Sequence, residues 1–145
     1  MPELATMSLI GVGVAVVLTV VFIKVRQKDL LGALMEKRKS TSRVVSRADF
    51  VEGNESVPVA LSLSSDTLYY ENPDLEASFE LARIDEVEYD DELTTGKNVH
   101  AHQSVLRLRS HGRSFEFVLE KTEQPKWSAV LPPKMLGNTS HAHAV

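Results

Sequence analysis

The chain has 145 residues, 43% of them hydrophobic and 25% charged, a net charge of −4 and no cysteine. Lack of cysteine excludes disulfides and a thiol nucleophile, so a packed core has to supply the stability. The charge is divided unevenly. Residues 1–46 carry seven Lys/Arg against three Asp/Glu, or +4, and residues 47–145 carry nine against seventeen, or −8. A domain that acidic argues against nucleic-acid binding.

After a three-residue tip, Leu4 to Ile23 contains no charge and no proline. Twenty helical residues span ~30 Å, the thickness of a bilayer's hydrocarbon core, so the stretch predicts one transmembrane helix. A buried core helix would show a polar side, and a strand pair would be shorter. A cleavable signal peptide wants positive charge ahead of its apolar core, whereas here Glu3 precedes it and Lys24, Arg26 and Lys28 follow. Gly11 and Ala15, four apart, form a small-xxx-small face on which two such helices could pair as a homodimer. The basic residues behind the span predict an N-terminus outside the inner membrane and a C-terminal domain in the cytoplasm.

Residues 24–43 form a basic juxtamembrane segment. Leu30, Leu31, Leu34 and Met35 share one helical face, and Lys24, Arg26, Lys28, Lys37, Arg38 and Lys39 form a collar suited to an anionic membrane surface. The alternative is a short coiled-coil stalk. Ser40, Thr41 and Ser42 favour a hinge.

From Val44 to Pro133 the texture is β. Val44 to Val51 predicts a strand ended by Glu52-Gly53-Asn54. Val57, Val59, Leu61 and Leu63 then alternate toward one face. Thr67 to Glu71 is rich in β-formers, and Asn72-Pro73-Asp74 is a turn signal. Ala77, Phe79 and Leu81 point inward from the next strand, and Ile84, Val87 and Tyr89 continue the apolar set toward an acidic edge. Leu93 to Gln103 is a polar loop. Leu106 and Leu108, then Phe115, Phe117 and Leu119, flank the turn Ser110-His111-Gly112-Arg113 and predict a hairpin. Pro125 suits a helix start, and Trp127, Val130 and Leu131 form its core-facing stripe, which Pro132-Pro133 stops. Residues 134–145 show no apolar pattern and predict a disordered tail.

The segments LSLSSDTLYY (61–70), FELARIDEVEY (79–89), VLRLRSHGRSFEFVLE (105–120) and KWSAVL (126–131) resemble the pleckstrin-homology superfamily, especially its GRAM-like and bacterial members. The resemblance implies about seven strands in a barrel capped by one short C-terminal helix, here behind a single N-terminal transmembrane helix. Phosphoinositide-binding members carry cations in the first strand-to-strand loop. This chain has Glu52 and Glu55 there, so headgroup recognition does not carry over.

Chemistry-bearing patterns are sparse. His100 and His102 would share a face on a strand and His141 and His143 repeat the spacing, but both pairs fall in loop or tail and no matched ligand lies at motif spacing, so no metal site and no cofactor are expected. The acidic run from Asp85 to Glu92 lacks the spacing of a calcium loop, and a solvated sheet edge accounts for it. Arg107, Arg109, Arg113, Lys121 and Lys126 make a small basic strip. No nucleophile elbow, phosphate loop or dinucleotide fingerprint is present. The sequence therefore predicts a non-enzymatic, membrane-anchored protein-interaction or scaffold module. Its alternatives are a structural subunit of a membrane complex and a weak metal- or lipid-binding protein.

Overall fold

The fold is that of a computed structural model, which describes residues 29–135. A helix, α1 (residues 29–39), leads into β1 (Val44–Glu52), β2 (Glu55–Leu63), β3 (Thr67–Asn72), β4 (Leu75–Glu80), β5 (Glu86–Asp90), β6 (Gln103–Ser110), β7 (Arg113–Glu120) and α2 (Gln124–Val130). All seven strands belong to one antiparallel sheet in the order β4-β3-β2-β1-β7-β6-β5. Two meanders, β1 to β4 and β5 to β7, are joined where β1 pairs with β7 over Ala48–Leu119 to Val51–Glu116.

Each tight turn uses the chemistry its residues offer. Gly53 has φ +60° between Glu52 and Glu55, as the first central position of a II′ hairpin turn requires. His111 and Gly112 both have positive φ, 52° and 74°, the pattern of a I′ turn. Asn72 Oδ1 accepts from the Asp74 N–H at 2.8 Å, so that turn closes on its own side chain.

One face of the curved sheet encloses the core. Val59, Leu61, Leu63, Leu68, Leu106, Leu108 and Phe117 are fully buried there, and Ile84 and Val87 join them on either side of the β5 start. Trp127 plugs the centre from α2, and its indole N–H donates to the Ser46 hydroxyl at 2.9 Å. Val57, expected to face inward, is exposed. The reason is positional: β3 pairs with β2 only from Ala60 onward, so the first half of β2 projects past its neighbour.

Two expectations are corrected. The sheet is open, not a closed barrel: β4 and β5 are its edges, and the chain between them turns through a 3-10 helix at Leu81–Arg83 instead of pairing them. Leu81 therefore ends up on that turn, half-buried against the core. Second, among the described residues no helix is long and apolar enough to cross a membrane. Helix α1 has eleven described residues, ~16 Å at the helical rise, and five of them are charged. The predicted span, Leu4 to Ile23, lies outside the described residues, and the fold gives a membrane-protein or signal-anchor assignment no support. The architecture is a mainly-β open sheet with a short C-terminal helix.

Candidate functional site

The two edges of an open sheet expose backbone donors and acceptors, and how each is covered decides where another chain can add. The β5 edge is partly occupied by the chain itself. Val87 donates to the Lys134 carbonyl at 2.8 Å and accepts from the Lys134 N–H at 2.9 Å, and Lys134 Nζ reaches the Ile84 carbonyl at 3.2 Å. Continued antiparallel, this pairing would set Pro132 opposite Tyr89. Proline has no N–H to give, so the bridge stays single. Lys134, which the sequence places in a patternless tail, is therefore tied to the sheet. Tyr89 fixes the same corner, with its hydroxyl donating to the Leu131 carbonyl at 2.7 Å; burial pushes that phenol well above its ordinary pKa.

The β4 edge is uncovered: among the described residues no strand or bridge pairs with its outer side. Asn72 and Leu75 flank the two-residue turn and form a hydrogen-bonded pair, and such pairs recur at every second residue. The alternation runs on to Leu81, whose N–H donates to the Asp66 carbonyl at 2.9 Å. The backbone groups of Glu76, Ser78 and Glu80 consequently face away from β3.

Beside this edge lies a cleft of about 430 Å³, walled by Ser78, Phe79 and Glu80 on one side and by Ser110, His111, Arg113 and Phe115 of the β6–β7 hairpin on the other. Phe79 meets Phe115 edge-on, with centroids 4.7 Å apart. Behind them Tyr70 stacks on Phe79 at 5.4 Å and contacts Phe50 and Phe117 at 5.1 and 5.2 Å. Burial and the nearby Glu52 raise the Tyr70 pKa, with Arg113 opposing them. Half-buried rings therefore floor a cleft whose rim is polar.

Several of the other charged groups are tied up in structure. The acidic run on β5 does not face water alone. Arg107 Nη1 donates to Glu88 and Asp90 at 2.9 and 3.1 Å, and Nη2 to Glu116 and the Glu92 carbonyl at 3.1 and 2.7 Å. Burial works against this guanidinium's charge, and its hydrogen bonds to the three carboxylates outweigh it, so its pKa is raised. Arg107 hydrogen bonding also holds the Asp90 carboxyl below its usual range. The adjoining cleft of about 350 Å³ is thus crossed by its own ion pairs. The expected basic strip is dispersed: Arg107 serves this cluster, Arg113 sits at the hairpin turn, and Lys126 pairs with Glu123.

Helix α1 packs beside the β3–β4 hairpin. Arg38 donates through Nε to the buried Glu71, and its guanidinium lies 4.1 Å from the centre of the Tyr69 ring. Of the predicted collar, then, Arg38 clasps the domain, Lys39 pairs with Glu36, and Lys37 is exposed. Lys24, Arg26, Lys28, Gly11 and Ala15 lie outside the described residues. His100 and His102 stack at 5.5 Å on an exposed loop, and among the described residues no three His, Cys, Asp or Glu side chains are placed to hold a metal ion.

Sequence reading did not single out β4 as an edge or Arg38 as a clasp. The signal for the edge was the alternation Leu75, Ala77, Phe79 against Glu76, Ser78, Glu80, which marks a strand with one wet face. Which strand lacks a neighbour depends on the global order.

No family model and no curated protein matches the chain. Among solved structures it is similar to the C-terminal domain of an unknown protein from Leishmania infantum, at 15% identity and a TM-score of 0.50, over 69% of this chain and 93% of that one. At that identity the likeness shows the fold alone.

Proposed function

We propose that the protein is a non-catalytic interaction module, a pleckstrin-homology-like domain that accepts an extended segment of a partner protein along β4. One observation carries this reading: β4 presents unpaired backbone groups next to a cleft floored by Phe79 and Phe115. Strand addition of this kind draws affinity from main-chain hydrogen bonds and selectivity from alternate side chains. The β5 edge is the poorer acceptor, because Lys134 and the two prolines occupy its approach. The run of short strands ending in a helix whose tryptophan closes the core is the part of the family resemblance on which this reading draws; the barrel is not.

Affinity capture from source-cell extract tests the reading, using the full chain and its Ser78→Pro variant as baits in parallel. Proline at Ser78 removes an outward N–H while leaving the ladder to β3 in place. Proteins retained by the unaltered chain and lost from the variant support edge binding. Identical retention by both baits overturns it.

A further inference from the structure

We infer that the segment accepted by β4 is basic, with two Lys or Arg side chains four residues apart, and that it is not a second copy of β4. The inference rests on the strand-addition reading above and adds the partner's chemistry. On the wet face of β4 the side chains are Glu76, Ser78 and Glu80. Glu76 has no ion-pair partner within 4.0 Å among the described residues and meets the Arg38 guanidinium only at longer range, and Glu80 has only Arg83, at 3.1 Å between two exposed side chains, a contact of small worth that a competitor can replace. An added antiparallel strand sets a side chain directly across from each of these carboxylates, where opposite charges attract and like charges repel.

That geometry discriminates between partners. A two-fold pairing of β4 with its own copy about Ser78 would set Glu76 of one chain opposite Glu80 of the other, twice over. Like charges opposite one another destabilise a pair, so the row of carboxylates guards against self-association. A strand with cations at those two positions turns the same row into a recognition element. The alternate side chains of that strand fall on the other face, beside Ala77, Phe79 and the cleft to Phe115. Arg83 and Arg113 line that cleft, so a cation there would be repelled and an apolar side chain is favoured. The pattern is basic, apolar, unspecified, apolar, basic.

Selection of a random nonapeptide library tests this, run on the full chain, on Ser78→Pro and on Glu76→Lys/Glu80→Lys. The expected result is enrichment on the unaltered chain of peptides with Lys or Arg four apart around apolar residues, binding roughly tenfold weaker to the double-lysine variant. That variant in turn enriches Asp or Glu at the same spacing. Peptides that need Ser78 but carry no basic pair, or that bind the double-lysine variant equally well, overturn the charge rule and leave the β4 edge standing. Recovery of the same peptides by all three proteins overturns both. If Ser78→Pro does not fold, the exchange of preference between the other two proteins decides alone, since lysine at exposed positions leaves the backbone intact.

Discussion

Trp127 and Ser46, 81 residues apart, meet inside the core, where the indole N–H donates to the serine hydroxyl at 2.9 Å. The same hydroxyl hydrogen-bonds to Glu123 at 2.8 Å, at the N-terminal end of α2. A short chain from β1 through the tryptophan's partner to the helix start thus fixes how α2 seats on the sheet. Ser46→Ala strands a buried indole N–H and is expected to cost about 1–3 kcal/mol, with Trp127→Ala costing about 3–5 kcal/mol. Urea denaturation followed by circular dichroism checks both. An unchanged midpoint for Ser46→Ala would show that the hydrogen bond is not needed to seat the helix.

The clasp of α1 is separable from the core. Arg38→Met leaves the nearly buried Glu71 without its cation and is expected to destabilise the chain by about 1–3 kcal/mol, while Lys37→Met, at an exposed position, stays within about 0.5 kcal/mol. Hydrogen exchange should show the α1 amides losing protection in Arg38→Met while those of β6 and β7 keep theirs.

Acid stability should depend on Arg107. Its hydrogen bond holds the folded Asp90 carboxyl below the unfolded value, so the contribution is present above about pH 4 and is lost as pH falls through the folded pKa. Arg107→Met removes that contribution and also uncovers Glu116, whose carboxylate is 11% exposed. Unfolding midpoints from pH 7 to pH 2 should fall less steeply in the variant than in the unaltered chain, from a lower starting value. Parallel curves would contradict the assignment.

The alkaline limb runs the other way. Tyr89 is held protonated by burial, so its folded pKa exceeds the unfolded value near 10, and the stability it contributes is complete below about pH 10 and lost above it. Tyr89→Phe should lower stability at pH 7 by about 0.5–1.5 kcal/mol and make the decline above pH 10 shallower. Thermal melts between pH 7 and pH 11 read both effects.

What the sequence makes legible is local, and what it hides is pairing. The turns at Gly53, Asn72-Pro73-Asp74 and His111-Gly112 are readable because each sits where a particular backbone angle or side-chain hydrogen bond is required. Trp127 and Leu131 are readable from helical spacing. By contrast, Ala60 and Ser62 alternate with the core residues of β2 yet are also fully buried, because they lie on the face of their cross-strand partners Glu71 and Tyr69, over which α1 lays Arg38. Glu71 and Glu116 look like solvated carboxylates until Arg38 and Arg107 are brought across to them from 33 and 9 residues away. Barrel closure was expected from the family resemblance; it depends on whether β4 and β5 pair, which alternation within each strand does not encode.

The central claim concerns the β4 edge, and backbone-amide hydrogen exchange of the full chain, with and without a selected basic nonapeptide, tests it most directly. Strand addition predicts that the amides of Glu76, Ser78 and Glu80 slow together on binding while those of Val87 and Tyr89 are unchanged. Slowing confined to β5, α1 or α2, with the β4 amides unaffected, would contradict it.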